Sequence, residues 1–144
     1  MPSASKYILA ALSGALFFIA AARLDLALRT RSAYLEGEKY AAWAGDTAMK
    51  VRAIDTEFAP RLKALENDLA AGRLDKSDFD DKTNLLLAEK KFRTGESAAK
   101  YAYIWYRTAA EDFSPPVTRH TLLARRKLPA ALAAWEKEAG IKAK

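Results

Sequence analysis

The sequence predicts an all-α protein: one N-terminal transmembrane helix that continues into a stalk, followed by a small bundle of antiparallel helical hairpins. Residues 7–22, YILAALSGALFFIAAA, form an apolar run that contains no charge. The chain has only six glycines and five prolines among its 144 residues, and most of the remaining residues favour helix. No stretch shows the alternation of apolar and polar residues that is typical of a strand.

Composition limits both the size of the fold and its chemistry. About 120 residues follow the apolar run, enough for one modest domain with a single core. The absence of cysteine excludes disulfides, thiolate catalysis and cysteine-ligated metals. The formal net charge of +6 and the pI near 9.5 predict an acidic neighbour, such as anionic lipid, an acidic protein face or nucleic acid. The alternative is a solvated basic surface.

The apolar run is the first predicted helix. As a helix it is about 24 Å long, shorter than the ~30 Å hydrocarbon core of a bilayer. Lys6 and Arg23 can extend their charged ends toward the headgroups, and three leucines continue the apolar face past Arg23. The sequence therefore predicts a short tail at residues 1–6 and a transmembrane helix with its membrane-proximal turn at residues 7–28.

Two other interpretations of this run remain open. It follows a lysine and ends in three alanines at residues 20–22, which resembles the cleavage site of a secretory signal. It also has a length at which a buried core helix is an alternative to a membrane span. A core helix fits less well, since no other helix predicted in the chain is apolar on every side.

Small residues within the run predict a contact with neighbouring membrane helices. They recur four positions apart, which places them near one face. In lipid, helix association depends on close backbone approach across small residues. The predicted packing residues are Ala10, Ala11, Gly14 and Ala15.

Charges on either side of the run predict its orientation. Lys6 precedes it, whereas Arg23, Arg29 and Arg31 follow it closely. By the positive-inside rule this pattern favours a single pass through the inner or cytoplasmic membrane with a cytoplasmic C-terminal domain. An uncleaved signal anchor would place the domain on the opposite side.

Residues 29–144 are predicted to form the soluble helical domain, which begins with the stalk. Only Gly37 interrupts the helical pattern between Arg23 and about Ala44. The aromatic residues of the stalk lie too far from the apolar run for an interfacial belt, so we expect them to pack against the domain. These residues are Tyr34, Tyr40 and Trp43.

A helical hairpin is predicted at residues 46–93. Asp46 is the expected N-cap of its first helix, Pro60 is expected to kink that helix, and Gly72 is expected to end it. The link between the two helices is short, so they should lie antiparallel. The apolar stripe of the first helix is Val51, Ile54, Phe58, Leu62, Leu65 and Leu69.

The second helix of the hairpin begins in an acidic cluster. Asp75 with Asp78, or Ser77, is the expected cap. The cluster has two acids at calcium-loop spacing, but Lys82 and Thr83 occupy positions that an EF-hand needs for a ligand and a glycine. No metal site is therefore predicted. The expected apolar face is Phe79, Leu85, Leu86 and Phe92.

Residues 62–86 combine a pattern of leucines with Gly72, Leu74 and an acidic residue before Phe79. In this they resemble the short helical modules known as SHOCT domains. The resemblance implies a helical hairpin and nothing more specific.

Residues 96–113 predict an aromatic helix at the centre of the fold. One face holds Ala98, Tyr101, Ala102, Trp105 and Ala109, and it is widened by Tyr103, Tyr106 and Ala110. The run from Ala102 through Trp105, Tyr106, Ala109 and Ala110 to Glu111 resembles the second helix of tetratricopeptide-type repeats, and Ala131, Trp135 and Ala139 repeat part of it. This resemblance implies binding of a protein or peptide on a helical surface.

The run Ser114-Pro115-Pro116 separates this helix from C-terminal helices predicted at residues 117–139. Pro129 is expected to start the last of them and Gly140 to end it. A dense basic cluster lies here, and a charge run of this kind is either a solvated face or a docking surface. The predicted partner-binding or lipid-binding residues are Arg119, Arg125, Arg126 and Lys127, together with Tyr101, Tyr103 and Tyr106.

No catalytic constellation is visible in the sequence. His120 is the only histidine, and no nucleophile elbow or phosphate-binding loop is present. We therefore predict no catalytic residue, no cofactor and no enzyme activity. The predicted function is that of a membrane-anchored accessory, assembly or stabilising subunit of a larger membrane complex. The alternative is a membrane-tethered, tetratricopeptide-like module that recruits a soluble protein or anionic lipid; tyrosines assigned to the core argue against nucleic acid.

Overall fold

The computed structural model describes residues 4–140, with side chains from Lys6 onward, and its regular structure is entirely helical. This confirms the predicted all-α class. Residues 1–3 of the predicted tail and the basic residues after Gly140 lie outside the described residues. The helices are α1 (Ala4–Gly45), α2 (Thr47–Ala70), α3 (Lys76–Gly95), α4 (Ala98–Arg107) with a π-helical extension at Thr108–Asp112, and α5 (Arg119–Glu138).

Helix α1 is continuous over 42 residues and includes both the apolar run and the predicted stalk. Contacts between residues divide the chain into two compact units, whereas residues 29–144 were predicted to form one domain. The first unit is Met1–Lys39 with Ala99–Lys144, and the second unit is Tyr40–Ala98. Each unit has its own packing.

The second unit is built on the antiparallel pair of α2 and α3. Asp46 caps α2 by accepting a hydrogen bond from the Met49 amide at 2.9 Å. Asp75 caps α3 in the same way, by accepting a hydrogen bond from the Asp78 amide at 2.8 Å. Both caps are as predicted. The buried core consists of Ile54, Phe58 and Leu86, with Leu62 and Leu65 packed against it.

Gly72 ends α2 as predicted, because its φ of +70° is a conformation that residues with a Cβ rarely adopt. The amide of Gly72 donates to the Leu69 carbonyl, and that of Arg73 donates to the Asp68 carbonyl. This is the Schellman arrangement, which satisfies carbonyls that the helix leaves without partners. Pro60 lies inside α2, and the helix continues on both sides of it.

The predicted apolar face of α3 was partly wrong. Leu86 is buried and Phe79 is half-buried, but Leu85 and Phe92 are 73% and 64% exposed. The side of α3 that meets α2 carries Leu86 and also Glu89 and Arg93, which pair with residues of α2. Because ion pairs occupy part of the surface of α3 that contacts α2, Leu85 and Phe92 lie outside that surface.

Three helices pack in the first unit: residues 26–39 of α1, α4 with its π-helical extension, and α5. Helix α4 is antiparallel to α1, since Tyr106 contacts Gly37 and the later Phe113 approaches the earlier Thr30. Most buried apolar side chains here are small. They are Ala33, Ala99, Ala102, Ala109, Ala110, Ala124 and Ala131, with Tyr106 as the one large member.

The π-helical extension of α4 was not predicted. Its five residues follow Arg107 without a break and place Ala109 and Ala110 in the core with no exposed surface. A π turn adds a residue to the helical repeat and so shifts the side chains that follow it around the axis. Propensity patterns with a fixed period of 3.6 residues do not predict this shift.

The prediction that Pro129 starts a separate helix is wrong. Helix α5 is one helix from Arg119 to Glu138, and Pro129 lies inside it. Thr118 is the N-cap: its hydroxyl accepts from the Thr121 amide at 3.1 Å, and Thr121 Oγ1 accepts from the Thr118 amide at 3.0 Å. This reciprocal cap begins the helix upstream of the proline. Gly140, with φ of +69°, follows its end as predicted.

Candidate membrane interface

Only one helix in residues 4–140 is long and apolar enough to cross a membrane, and it is α1. Its most apolar window has a mean hydropathy of 1.9, and none of that window is buried. The large apolar side chains of this segment are between 54% and 74% exposed. An uncovered segment of this kind does not fit the interpretation of a buried core helix.

The bare segment has the length of a bilayer core. Every side chain from Lys6 to Asp25 is exposed, and twenty helical residues span about 30 Å, equal to the usual hydrocarbon thickness. Coverage by the rest of the first unit starts at Leu26, which is half-buried. Residues 6–25 are called the bare segment.

The predicted packing residues of the bare segment remain open to a neighbour. Ala10, Ala11 and Ala15 are exposed. A Cβ added to Gly14 would meet no atom within 4 Å. Nothing within the described residues of the chain covers this face, so a substitution there affects only what lies outside the chain.

Thr30 marks the start of the covered part of α1. It is completely buried, and its hydroxyl donates to the Leu26 carbonyl at 2.8 Å. The same hydroxyl lies 3.4 Å from the carbonyl oxygen of Phe113, at the end of the α4 extension. The α4–α5 connection therefore lies beside α1 one or two turns past the bare segment.

A carboxylate at the middle of the first unit joins its three helices, and we call this group the Glu38 cluster. The hydroxyl of Tyr106 donates to Glu38 Oε1 at 2.6 Å. The ammonium of Lys127 donates to both carboxylate oxygens, at 2.6 and 2.7 Å. Burial and the nearby Glu38 carboxylate raise the pKa of Tyr34, and the His120 ring lies 5.5 Å from the Tyr34 ring.

Electrostatics in the Glu38 cluster favour a neutral tyrosine and a charged lysine. Burial raises the pKa of Tyr106 well above its usual value, and the Glu38 carboxylate raises it further. The hydrogen bond with Glu38 raises the pKa of Lys127. Both groups keep their protons at neutral pH, so the cluster is a fixed hydrogen-bond network that holds α4 and α5 on α1.

Close approach of α1 and α4 requires the glycine next to this carboxylate. A Cβ added to Gly37 would lie 2.7 Å from Cδ1 and Cε1 of Tyr106. Tyr106 is only 2% exposed and its hydroxyl is bonded to Glu38, so the ring has no room to move aside. Gly37, which the sequence analysis treats only as an interruption of the stalk, is thus a packing residue.

The residues of the predicted basic surface do not all have the same role in the structure. Arg119, Arg125, Arg126 and Lys127 are all exposed. Lys127, however, binds Glu38, and the Nε of Arg125 donates to the Ala110 carbonyl at 3.3 Å. These two side chains stabilise the first unit, whereas Arg119 lies at the other end of the cluster as the first residue of α5.

The predicted tyrosines are likewise used in different ways. Tyr106 is a core residue, 2% exposed, and is not available to a docking partner. The ring of Tyr103 stacks on Trp135 with 5.3 Å between centroids, which joins α4 to α5. Tyr101 is half-buried. The position of Tyr106 beside alanines on the broad apolar face predicts that it is a core residue. Nothing in the sequence indicates that its hydroxyl binds Glu38.

On the surface of the second unit, two arginines contact an aromatic ring and also form ion pairs. Arg61 and Arg93 lie over the Phe58 ring, with guanidinium carbons 4.7 and 5.4 Å from its centroid. They also pair across the hairpin with Glu89 and Glu57. Beside Leu86 a groove of about 230 Å³ is lined by Arg61, Leu65, Lys82, Leu85, Leu86 and Glu89.

Lys50 is a structural residue that the sequence analysis missed. It is 5% exposed, and its ammonium donates to the Thr94 carbonyl at 2.7 Å and to the Glu96 carbonyl. These carbonyls lie at the C-terminal end of α3, where a cation is favoured by the helix dipole. A lysine at the start of one helix gives no sequence signal that it caps another.

No group of three or more potential metal ligands comes together within residues 4–140. The polar groups of the Glu38 cluster bind one another, which suits a structural role. Comparison of the chain with protein-family models, with curated proteins and with solved structures gives no match. A function can therefore be inferred only from the exposed surfaces of the chain, above all the bare segment.

Proposed function

We propose that this chain is a non-catalytic, membrane-anchored accessory or assembly subunit of a larger membrane protein complex. Helix α1 anchors it, and the helices after the bare segment form a small bundle of antiparallel hairpins that holds an extrinsic part of that complex. The domain is proposed to be cytoplasmic, because three arginines follow the apolar run and only Lys6 precedes it.

The observation that supports this proposal is the continuity of α1. The same unbroken helix carries a bare apolar segment and supplies Thr30, Ala33 and Gly37 to the core of the first unit. A rigid connection of this kind fixes the position of a folded unit against the membrane. A protein that is only tethered needs no such continuity, since a flexible linker would suffice.

Anchoring is tested first, because the assembly proposal depends on it. The full chain, tagged at its C-terminus and expressed in cells, should stay in the membrane fraction after alkaline carbonate extraction. Its N-terminal sequence should still include the bare segment. A soluble product that begins near Arg23 would establish the secretory-signal alternative and end the proposal.

Assembly is tested by adding bulk to the small-residue face. Gly14→Leu should remove partner proteins that co-purify with the wild-type chain in mild detergent, because Gly14 has open space in the chain itself and leucine would obstruct only a neighbouring helix. The matched control is Ala20→Leu, which adds bulk about 120° around α1 from Gly14. Equal co-purification by both variants would show that this face is not an interface.

A second candidate function is supported by the exposed side chains of α3. Leu85 and Phe92 lie seven residues apart, so they share one side of that helix. Leu85 lines the Leu86 groove, and the exposed Phe92 lies about two turns further along the same side of the helix. A membrane-tethered module that recruits a soluble protein would use such a surface.

Replacing both of these residues distinguishes the two functions. In the full chain, the double variant Leu85→Gln, Phe92→Gln should keep its fold, because both side chains are exposed. An obligate subunit should retain its membrane partners in this variant, whereas a recruiting module should lose its soluble partner. Retention of a soluble partner by the double variant would rule out this surface as its docking site.

A further inference from the structure

The turn between α4 and α5 lies at the end of the first unit that points toward the bare segment. Along α4 the contacts move down α1, from Gly37 opposite Tyr106 to Thr30 opposite Phe113. Along α5 they move up again, from Tyr34 beside His120 to Glu38 bonded to Lys127. The turn at residues 113–118 is thus the lowest part of the unit relative to the membrane helix.

The height of this turn matches the interfacial layer of a bilayer. Thr30 lies five residues past the last residue of the bare segment, Asp25, which is about 7.5 Å along a helix. The headgroup layer on each side of the hydrocarbon core is about 5–8 Å thick. With the bare segment in the core, the Phe113 end of the turn lies within the headgroup layer.

The side chains of the turn are apolar and open. Val117 is 57% exposed, Pro115 is exposed, and Phe113 and Pro116 are half-buried. Leu24 and Leu28 on α1, 62% and 56% exposed, present further apolar surface at and below the same level. Apolar surface of this kind gains free energy when it leaves water for the headgroup–acyl boundary.

Charges near the turn offset one another. Arg119 begins α5, and Glu111 and Asp112 precede the turn. On α1, Asp25 pairs with Arg29 at 2.8 Å, and Arg23 and Arg31 are exposed. The local net charge is small, so apolar contact and not attraction to anionic lipid has to supply the binding.

We infer that the turn at residues 113–118 is a second lipid contact, which inserts Val117 into the bilayer interface and fixes the tilt of the first unit against the membrane. The inference rests on the proposed anchoring by α1. Its partner is the lipid surface itself, and the contact is made without any other protein.

The chain contains no cysteine, so single cysteines report cleanly on this contact. The purified full-length chain carrying Val117→Cys, labelled with a nitroxide and reconstituted alone into phosphatidylcholine vesicles, should show high accessibility to oxygen and low accessibility to a water-soluble nickel complex. Arg119→Cys, on an exposed residue next to the turn, provides a second site if Val117→Cys fails to fold. Retained helicity by circular dichroism is the folding check.

Two further single-cysteine variants separate this inference from the anchoring proposal. Phe18→Cys, in the bare segment, should report lipid, and Ala133→Cys, at the far end of α5, should report water. If Phe18→Cys reports lipid while Val117→Cys is open to the nickel complex, anchoring stands and the lipid contact of the turn is wrong. If Phe18→Cys also reports water, the anchoring proposal itself fails.

The remaining outcomes are also decisive. Low accessibility of the Val117 label to both oxygen and nickel would show that protein, such as a second copy, covers the turn, and this would overturn the inference. An apolar contact should give the same oxygen-to-nickel ratio at about 0.1 M and about 1 M salt, since screening acts on charges. A ratio that collapses at high salt would assign the contact to the arginines instead.

Discussion

The two compact units of this protein bury different kinds of side chain. The first unit packs α1, α4 and α5 through alanines and Gly37, with one large core residue, Tyr106. The second unit packs α2 on α3 through large side chains, led by Ile54 and Phe58. Both are helical, but the first depends on close backbone approach and the second on the volume of its core residues.

Polar interactions follow the same division. In the first unit the Glu38 cluster brings partners from three helices to one partly buried carboxylate. In the second unit the pairs Arg61–Glu89, Arg93–Glu57 and Lys90–Asp55 lie at the surface of one helix pair. The Tyr106 hydroxyl, on a residue only 2% exposed, is costly to leave without its partner, whereas the exposed ion pairs of both units contribute little. The first unit should therefore be more sensitive to polar substitutions and the second unit to loss of apolar volume.

The largest expected effect is in the core of the second unit. Phe58 is 3% exposed, so Phe58→Ala should lower the free energy of unfolding of this unit by about 3–5 kcal/mol. Hydrogen exchange of the amides of α2 and α3, in the full chain in detergent, measures the change. The control Phe92→Ala removes the same atoms from an exposed position and should change it by less than about 0.5 kcal/mol. Similar losses in both variants would contradict the core assignment.

Gly37→Ala tests close approach in the first unit. The added Cβ would overlap the Tyr106 ring, and overpacking of this kind costs about 1–3 kcal/mol. Loss of hydrogen-exchange protection in α4 and α5 is the expected result. Gly45→Ala on the same helix meets no atom within 4 Å, so it should be neutral or slightly stabilising. A stabilised Gly37→Ala variant would show that helix propensity outweighs the contact.

Alkaline pH should weaken the first unit through Tyr106. Burial and Glu38 raise the pKa of Tyr106, so above pH about 10 an unfolded tyrosine ionises while the folded one does not. The stabilisation is complete below pH 10 and falls as pH rises further. Tyr106→Phe should flatten this dependence and cost about 1–3 kcal/mol at neutral pH, since it removes a bond to a charged group. Tyr103→Phe, outside the Glu38 cluster, should keep the alkaline loss; equal pH profiles for all three proteins would reject the assignment.

Acid should weaken the second unit by a smaller amount. The hydrogen bond from Arg61 lowers the pKa of Glu89, so this pair stabilises the fold above the ordinary glutamate pKa of about 4.3 and is lost as pH falls below it. Because the pair is exposed, the effect should be small. Glu89→Gln should reduce the acid dependence of α2–α3 protection, and Glu66→Gln on α2 should not. A profile unchanged by Glu89→Gln would remove this pair from the account of stability.

Much of the fold follows from local chemistry in the sequence. Asp46, Asp75 and Gly72 set helix ends through contacts with residues at most five positions away, and the spacing of Ile54 and Phe58 fixes which side of α2 is buried. The length and apolarity of α1 are visible in the same way. Periodicity and caps are local, so a single sequence is sufficient to predict them.

Other features depend on residues that are far apart in the chain. The Glu38 cluster joins positions 38, 106 and 127, and Lys50 caps carbonyls more than forty residues away. Phe92 was predicted to lie on the apolar face of α3, and Pro129 was predicted to start a separate helix. Both predictions were wrong, because packing against other helices outweighed local propensity. The sequence alone determined the all-helical class, the caps of α2 and α3 and the apolar segment of α1. Tertiary structure decided which polar groups meet and which apolar residues remain exposed, since those outcomes depend on the approach of distant backbones.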